Sequence, residues 1–421
     1  MLKKINVTIF GILFAATQLF ASGFQINEHG ARAMALGGAF TGLANDPSAV
    51  YFNPAGITQL NGTHVMGGVT LIIPKSTFRG PSPSVTEWEL EKQIFNPINF
   101  YVTHQLSEKL HFGFSVNNPY GLGTKWPSDW VGKYMAVETE IKTFYFNAVA
   151  AYEVSKEFSL GFGFTYAYGD VLISRMQNLS PFKAEAEINL EGNGSGAGFN
   201  FGLLFKPSKN FSIGAAYKSR VHFNFKGDAT ASAPKQFNGL LPTGKIEAPL
   251  TAPDILSVGI GAKAGENLTF SADFQYTMWS TYDKLEITFK DFIDDETGKP
   301  LVSTSVRDYD NSYIGRFGAE YKASDMFSLR AGFLYDKNPV KDERVDPTLP
   351  DADRLGFNAG VGIKLADNLS LDLAYLFLRF SERKIENSLE SYSGIENSIA
   401  PMNGVYNSVA HLFAVNLSVN L

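Results

Sequence analysis

Apolar residues recur at every second position through most of this 421-residue chain, from about residue 64 to its end. In the last segment, for example, Phe413, Val415 and Leu417 alternate with Asn416 and Ser418. A period of two is typical of a β-strand, whose side chains point alternately to opposite faces. One face carries large apolar and aromatic residues, and the other is rich in Gly, Ser and Asn. This contrast favours a barrel whose apolar face meets lipid and whose small, polar face encloses a lumen.

Fourteen segments follow this pattern. They lie near residues 64–73, 97–105, 110–117, 141–152, 158–170, 197–206, 211–219, 255–263, 268–278, 313–322, 327–336, 355–365, 369–379 and 410–421. Short polar turns strictly alternate with long connections, as in bacterial outer-membrane barrels with short periplasmic turns and long outer loops. We therefore predict an all-β fold, a 14-stranded antiparallel transmembrane β-barrel over residues 63–421. The alternative, a secreted β-sandwich, predicts no such alternation.

Composition excludes several other classes of protein. The absence of cysteine excludes disulfide scaffolds, thiolate metal sites and cysteine nucleophiles. A net charge of −6 argues against a partner that is a nucleic acid. Beyond the N-terminus no run of about 18 apolar residues occurs, which excludes a helical membrane protein. The six histidines have no spacing that suggests a metal site or a catalytic triad, so we expect no enzyme, no metal and no cofactor.

The first 62 residues do not follow the strand pattern. Lys3 and Lys4 precede an apolar stretch that ends near the small residue Ala21, which predicts a cleavable signal peptide over residues 1–21. A membrane anchor is the alternative, but polar residues shorten the apolar stretch below a spanning length. Residues 22–62 combine short helical turns with glycines and apolar side chains. Since so wide a lumen would otherwise be an aqueous channel, we expect this segment to be a small helical plug, or hatch.

Several short motifs occur in a fixed order along the chain. They are Ser22–Asn27, Ala39–Gly42, Asp46–Ala49, Asn53–Gly56, Pro119–Leu122 with Trp126, Trp130, Gly132 and Tyr134, Asp273 with Trp279 and Ser280, Asp336 with Pro339 and Val340, and Leu349–Arg354. This ordered set resembles the long-chain fatty-acid transporter family of Gram-negative outer membranes. The chain ends in Leu421, whereas outer-membrane barrels commonly end in an aromatic residue.

The resemblance implies a barrel in the outer membrane that imports hydrophobic molecules passively. The expected ligands are long-chain fatty acids or, in some branches, aromatic hydrocarbons, and the expected partners are outer-membrane lipids, with the protein a monomer. Ligand would be collected by outer loops, pass an internal apolar site at the N-terminus, and leave sideways through a gap at a kinked third strand. A general porin for polar solutes remains the more distant alternative.

Candidate ligand-binding residues follow from the family resemblance and from the apolar residues of the predicted loops. The resemblance assigns Phe24 to the internal site. Apolar residues of two predicted outer loops are candidates for capture, unless they merely pack those loops together: Leu172, Ile173, Met176, Leu179 and Phe182 in the first, and Phe237, Leu240, Leu241, Ile246 and Leu250 in the second.

Two motifs concern the hatch and the wall. Asn53, Pro54 and Ala55 are expected to form a structural turn that fixes the hatch rather than to contact ligand. Asn117, Asn118 and Pro119 end the third predicted strand, where a proline removes a ladder donor. That break suits a gap in the wall, although an ordinary strand end explains it nearly as well.

A fatty-acid carboxylate would require a cation in the lumen. By strand parity the inward-facing cations are Lys206, Lys218, Lys263, Arg316, Arg330 and Lys364. Arg316 and Arg330 on neighbouring strands are the first choice, because a guanidinium can bind a carboxylate through two hydrogen bonds. The alternative is that they pair with lumen acids such as Glu320 or Asp273.

Overall fold

A closed antiparallel barrel dominates the computed structural model, which describes residues 23–179, 182–237, 239–393 and 399–421. The described residues form fourteen wall strands: β1 Thr63–Arg79, β2 Ile98–Gln105, β3 Leu110–Asn117, β4 Glu138–Ser155, β5 Phe158–Asn178, β6 Glu185–Ser208, β7 Phe211–Lys218, β8 Ile255–Ala264, β9 Leu268–Thr277, β10 Ser312–Lys322, β11 Phe327–Asp336, β12 Arg354–Ala366, β13 Leu369–Phe380 and β14 Gly404–Asn420. Each strand pairs with its neighbours in sequence, and β1 pairs with β14 from His64–Asn420 to Arg79–Val405. The predicted 14-stranded barrel is confirmed.

Shorter elements decorate the outer end of the barrel. Further strands are Glu87–Glu89, Gly121–Lys125, Val221–Ser232, Gly244–Ala252, Lys284–Ile293, Pro300–Val306, Arg383–Ile385, Ser391–Ser393 and Ile399–Pro401, and single 3₁₀ turns are Lys235–Phe237, Trp279–Thr281 and Asp342–Arg344. Much of what the sequence predicted as long loops is therefore strand. Above the lipid the outer face of a strand no longer has to be apolar, so the alternation that marks a wall strand fades there although the hydrogen-bond ladder continues.

Large apolar side chains cover the outside of the barrel. Phe162, Phe164 and Phe357 are each more than half exposed, as a lipid-facing surface requires. None of the helices among the described residues has the length and apolar character that a membrane-spanning helix needs.

The residues that precede β1 form the hatch and lie against the inner wall. They contain helices α1 Ala31–Ala35 and α2 Ala49–Phe52 and the 3₁₀ helix Pro54–Gln59. Glycines on the wall make room for the hatch backbone: a Cβ at Gly318 would stand 2.6 Å from the carbonyl oxygen of Leu36, and one at Gly161 2.5 Å from the backbone nitrogen of Ala55. The glycine-rich lumen face of the sequence is thus largely the docking surface of the hatch.

Charged groups fasten the hatch to the wall. Arg32 of α1 donates to Glu320 of β10 through Nε at 2.9 Å and Nη2 at 3.0 Å. Glu320 also accepts from Nε of Arg330 at 2.6 Å, and Arg330 in turn donates to Asp372 at 2.5 Å. The four side chains are mostly buried, so this network is a charged clamp between hatch and barrel.

Candidate functional site

An apolar cavity of about 470 Å³ lies among the outer extensions of the strands, within the size range of small-ligand pockets. Its apolar walls include Ile173, Ile188, Ile246, Leu250, Leu285 and Phe289. We call this the outer cavity. The side chains reach it because the β5–β6 hairpin and the neighbouring extensions continue the barrel wall outward beyond the membrane.

The polar part of the outer cavity carries three arginines. Arg307 forms an ion pair with Asp346, and Arg344 pairs with Glu390 at 3.1 Å. Burial opposes the charge of Arg307, but the Asp346 carboxylate outweighs it and raises the arginine pKa above its ordinary value. Arg175 lines the same cavity and has no ion pair with any described residue. It is therefore the cavity's arginine best placed to accept a ligand anion.

Phe24 lies at the floor of the outer cavity and is almost completely buried. Its ring makes edge contacts with the rings of Tyr120, Trp279 and Tyr282 at centroid distances of 5.9, 4.8 and 5.8 Å. Gly23 precedes it at a φ of +64°, and a Cβ there would stand 2.9 Å from the Trp279 ring. Only glycine fits this close approach without strain, so the backbone at Gly23 sets the position of the phenyl ring.

The backbone around Phe24 is held from two sides. Gly23 N–H donates to Asp351 at 2.7 Å, and Arg354 donates to the Gly23 carbonyl at 2.8 Å. On the other side Gly121 N–H donates to the Phe24 carbonyl at 3.0 Å. The Leu349–Arg354 motif thus positions the start of the hatch.

A second cavity, of about 390 Å³, begins on the far side of Phe24. We call it the inner cavity. Its lumen wall includes Ile72, Leu90, Leu378, Phe380, Ala410 and Leu412. Phe24 and Leu122 line both cavities, so the two spaces adjoin at these side chains.

The inner cavity meets the barrel wall where β2 and β3 separate. Their ladder ends at the pair Asn99–Asn117. The chain then continues as Gly121–Lys125, which in the described residues pairs with β4 and not with β2. Three residues, 118–120, stand opposite only two of β4, 143–144, so β3 bends at a bulge.

Hydrogen bonds close the resulting gap at both ends. Asn118 Oδ1 accepts from the Ile98 N–H at 2.7 Å at the lower end, and the Lys125 carbonyl accepts from the Glu91 N–H at 2.8 Å at the upper end. We call this gap the wall opening. The eight residue steps from Asn117 to Lys125 make it roughly 26 Å long. Asn117, Asn118 and Pro119 therefore stand where the sequence places a break in strand three.

Of the predicted capture residues, Ile173, Ile246 and Leu250 line the outer cavity. Leu172 and Met176 are in β5 rather than in a loop, and they alternate with Ile173 and Arg175, which line the outer cavity in their place. Continuing the inward parity of β5 from Gly169 through Val171 and Ile173 would have added Arg175.

The other loop residues pack the loops together, as the alternative interpretation holds. Leu179 and Leu241 belong to a cluster of the outer hairpins, and Phe182 stacks edge-on against the buried Phe237. Leu240 is 68% exposed. Neither these five side chains nor Leu172 and Met176 line either cavity.

Arg316 and Arg330, the first choices for binding a ligand carboxylate, lie outside the outer and inner cavities. Arg330 is held by Glu320 and Asp372 in the clamp, and Arg316 donates to Gln275 at 3.0 Å and to Asn27 at 2.9 Å. Sequence parity alone could not separate them from a ligand cation, because it gives the face of a strand and not the neighbouring acid.

The Asn53–Ala55 turn is structural in its contacts. The Asn53 amide donates to the carbonyls of Thr41 at 3.0 Å and of Leu203 at 2.9 Å, and its oxygen accepts from the Ala55 N–H at 3.2 Å. One fully buried side chain therefore joins two parts of the hatch to β6.

A closed, plugged barrel with an apolar route from its outer loops to its wall defines an outer-membrane transport protein. In agreement, the family model described as outer membrane protein transport protein (OMPP1/FadL/TodX) matches residues 12–420. The chain belongs to this family, and its barrel lies in the outer membrane. The signal peptide predicted for residues 1–21 lies outside the described residues and stays a prediction.

Individual relatives agree with this membership. The long-chain fatty acid transport protein of Salmonella typhi is 25% identical over 413 residues, which cover 89% of this chain and 91% of that protein. That of Escherichia coli strain K12 is 24% identical over 424 residues, with the same coverage. Both are named as transport proteins rather than as enzymes.

Solved structures show the same fold. A Pseudomonas aeruginosa FadL homologue superposes with a TM-score of 0.80 at 20% identity, over 95% of this chain and 100% of that one. The Pseudomonas putida toluene transporter TodX gives 0.75 at 17% identity, over 96% and 100%.

Proposed function

We propose that this protein imports long-chain fatty acids passively across the outer membrane. The acid is captured in the outer cavity, passes Phe24 into the inner cavity, and leaves sideways through the wall opening into the membrane. The observation that carries the proposal is that the two cavities share the side chain of Phe24 and three apolar neighbours, so the sites of capture and release adjoin there. The names of the Salmonella and Escherichia relatives support the choice of substrate.

The energetics of an acyl chain favour such a route. Each buried methylene gains about 0.8 kcal/mol, so a chain of about 16 carbons gains on the order of 12 kcal/mol when it leaves water. A water-filled pore offers none of this. Two adjoining apolar cavities let the chain exchange one apolar surface for another, and the membrane is the final acceptor. No chemical change of the ligand is required, and we propose that the protein is not an enzyme.

The carboxylate end of the ligand is assigned to Arg175. Its guanidinium has no acidic partner among the described residues, and it stands at the polar side of a cavity whose other wall is aliphatic. A two-point hydrogen bond to the carboxylate would hold the head group there while the tail reaches toward Phe24. The other two arginines of this cavity are already neutralised by Asp346 and Glu390.

Aromatic hydrocarbons are the second candidate ligands. The observation in their favour is the group of rings around Phe24, where Tyr309 adds edge contacts to Trp279 and Tyr282 at 6.1 and 5.1 Å. Such rings favour another ring in an edge or offset arrangement. The two ligand classes differ in their need for a cation, since toluene has no charge to present to Arg175.

The test compares Arg175→Gln with Arg79→Gln, an exposed arginine on the outer face of β1. Uptake of radiolabelled oleate is measured in cells that lack their own fatty-acid transporter, and oleate and toluene binding are measured on purified protein. We expect Arg175→Gln alone to weaken oleate binding and uptake. Uptake by the wild type equal to that of cells without the protein would exclude the proposed function. Toluene binding without oleate binding would establish the second candidate.

A further inference from the structure

Phe95 stands in the wall opening, and its ring spans the gap from one side to the other. Its backbone belongs to the β1 side, where Phe95 and Ile72 exchange two hydrogen bonds of 3.0 and 2.8 Å. Pro97 extends this attachment, because its carbonyl accepts from the Thr70 N–H at 2.9 Å. The ring, by contrast, lies against the opposite side of the opening, on Gly123 of the Gly121–Lys125 strand.

The Phe95 ring rests on the backbone of Gly123, which we call the seat of the ring. A Cβ at position 123 would overlap the Phe95 ring, and the backbone there is not in the left-handed region, so a larger residue at this position would have to displace the ring. Two residues earlier, Gly121 has Ile26 Cδ1 of the hatch at 2.7 Å from the place of its own missing Cβ. The bent strand therefore offers two glycines, one covered by the hatch and one by Phe95.

The surroundings of Phe95 differ on its two sides. The ring lines the inner cavity. Its neighbours Ile94 and Ile98 are 66% and 42% exposed, as expected of side chains that meet lipid. The half-buried Phe95 ring thus lies at the border between an apolar cavity and the membrane, beside Pro97 and Ile98, which line the same cavity. It can turn about its own side-chain bonds without breaking any backbone hydrogen bond.

We propose that Phe95 is the gate of the wall opening, with Gly123 as its seat. In the closed position the ring keeps membrane lipid out of the inner cavity, and rotation off Gly123 opens a path for an apolar ligand. This inference rests on the proposed release through the wall, and it adds the residue that controls that step. The Phe95 ring is itself the barrier, and ligand contacts it only while leaving the inner cavity.

The test uses two variants that unseat the ring by different means. Phe95→Ala removes the ring, and Gly123→Ala keeps it but occupies its seat. The matched controls are Phe100→Ala and Gly67→Ala, a glycine–phenylalanine pair on β1 and β2 in which a Cβ would meet the ring at an ordinary 3.6 Å. Each protein is placed in lipid nanodiscs that contain phosphatidylcholine with a photoreactive diazirine on its acyl chain.

After irradiation, cross-links are mapped by mass spectrometry. Cross-links on the side chains that line the inner cavity should rise roughly tenfold for both gate variants, the factor that corresponds to about half of the burial free energy of a phenyl ring. These side chains are Ile72, Pro74, Ser76, Ser408, Ala410 and Leu412. The controls should match the wild type. In the double variant Phe95→Ala/Gly123→Ala, the change at Gly123 should add few further cross-links, because there is no ring left to displace. Equal labelling of the gate variants and the controls would overturn the proposal.

A parallel measurement of oleate uptake separates the gate from the function. Phe95→Ala should raise the maximal uptake rate, because the exit from the inner cavity no longer waits for the ring to move. The lipid cross-links require no fatty acid. A wild type that binds and moves no oleate would therefore remove the proposed substrate, while the cross-linking result still decides whether Phe95 is a gate.

Discussion

Replacing Glu320 by glutamine should loosen the hatch. The carboxylate accepts three charge-assisted hydrogen bonds, two from Arg32 of the hatch and one from Arg330 of the wall. Glutamine keeps the size but removes the charge and turns an amide N–H toward guanidinium N–H groups. Breaking a buried ion pair by changing one partner costs 3–5 kcal/mol, and we take about 3 kcal/mol because both arginines retain a second acid. The population with a displaced hatch should then rise roughly a hundredfold.

Ion conductance in planar lipid bilayers reports this change, because the lumen conducts only when the hatch has moved. The matched control is Asp325→Asn, which removes a fully exposed ion pair with Lys322 near the end of the same hairpin. Exposed pairs contribute little to stability, so this variant should conduct like the wild type. If Glu320→Gln showed no more opening events than Asp325→Asn, the clamp would not hold the hatch.

Three further predictions concern single residues. Phe24→Ala should weaken oleate binding in detergent, because it removes the ring shared by both cavities, and unchanged affinity would exclude Phe24 from the site. Gly202→Ala should lower the thermal unfolding temperature, since the new methyl group would overlap the buried Asn53 side chain, whereas Gly265→Ala, at an open turn, should cost only the strain of its positive φ. Burial raises the pKa of Asp353 to about 7, so its ionisation should destabilise the native state increasingly as pH rises from about 4 to 7. Asp353→Asn cannot ionise and should flatten that part of the stability profile measured by thermal unfolding; an unchanged slope would contradict the burial of this carboxyl.

The barrel was readable from the sequence because lipid imposes a strict alternation on every wall strand. Phe162 and Phe164 must be apolar and Gly161 must be small, whatever the rest of the chain does. Above the membrane this constraint ends, and the outer part of the β5–β6 hairpin, residues 171–196, was accordingly predicted as a loop.

The site was less readable, for two physical reasons. Parity assigned Arg316 and Arg330 to the lumen, but it does not show that Asp372, two strands away, binds Arg330, or that Asn27 of the hatch binds Arg316. The gate depends on a contact between Phe95 and Gly123 across a gap, and no local pattern reveals which ring rests on which glycine. The break at Asn117–Pro119 was visible because proline acts on its own strand.

A photoreactive fatty acid with a diazirine at its methyl end tests the central claim most directly. Mapped on the wild-type protein, its cross-links should fall in the outer cavity near Phe24, in the inner cavity, and on Phe95 and residues 118–124 at the wall opening. Cross-links that instead follow the hatch to the periplasmic turns, with none at the wall opening, would contradict lateral release and the account built on it.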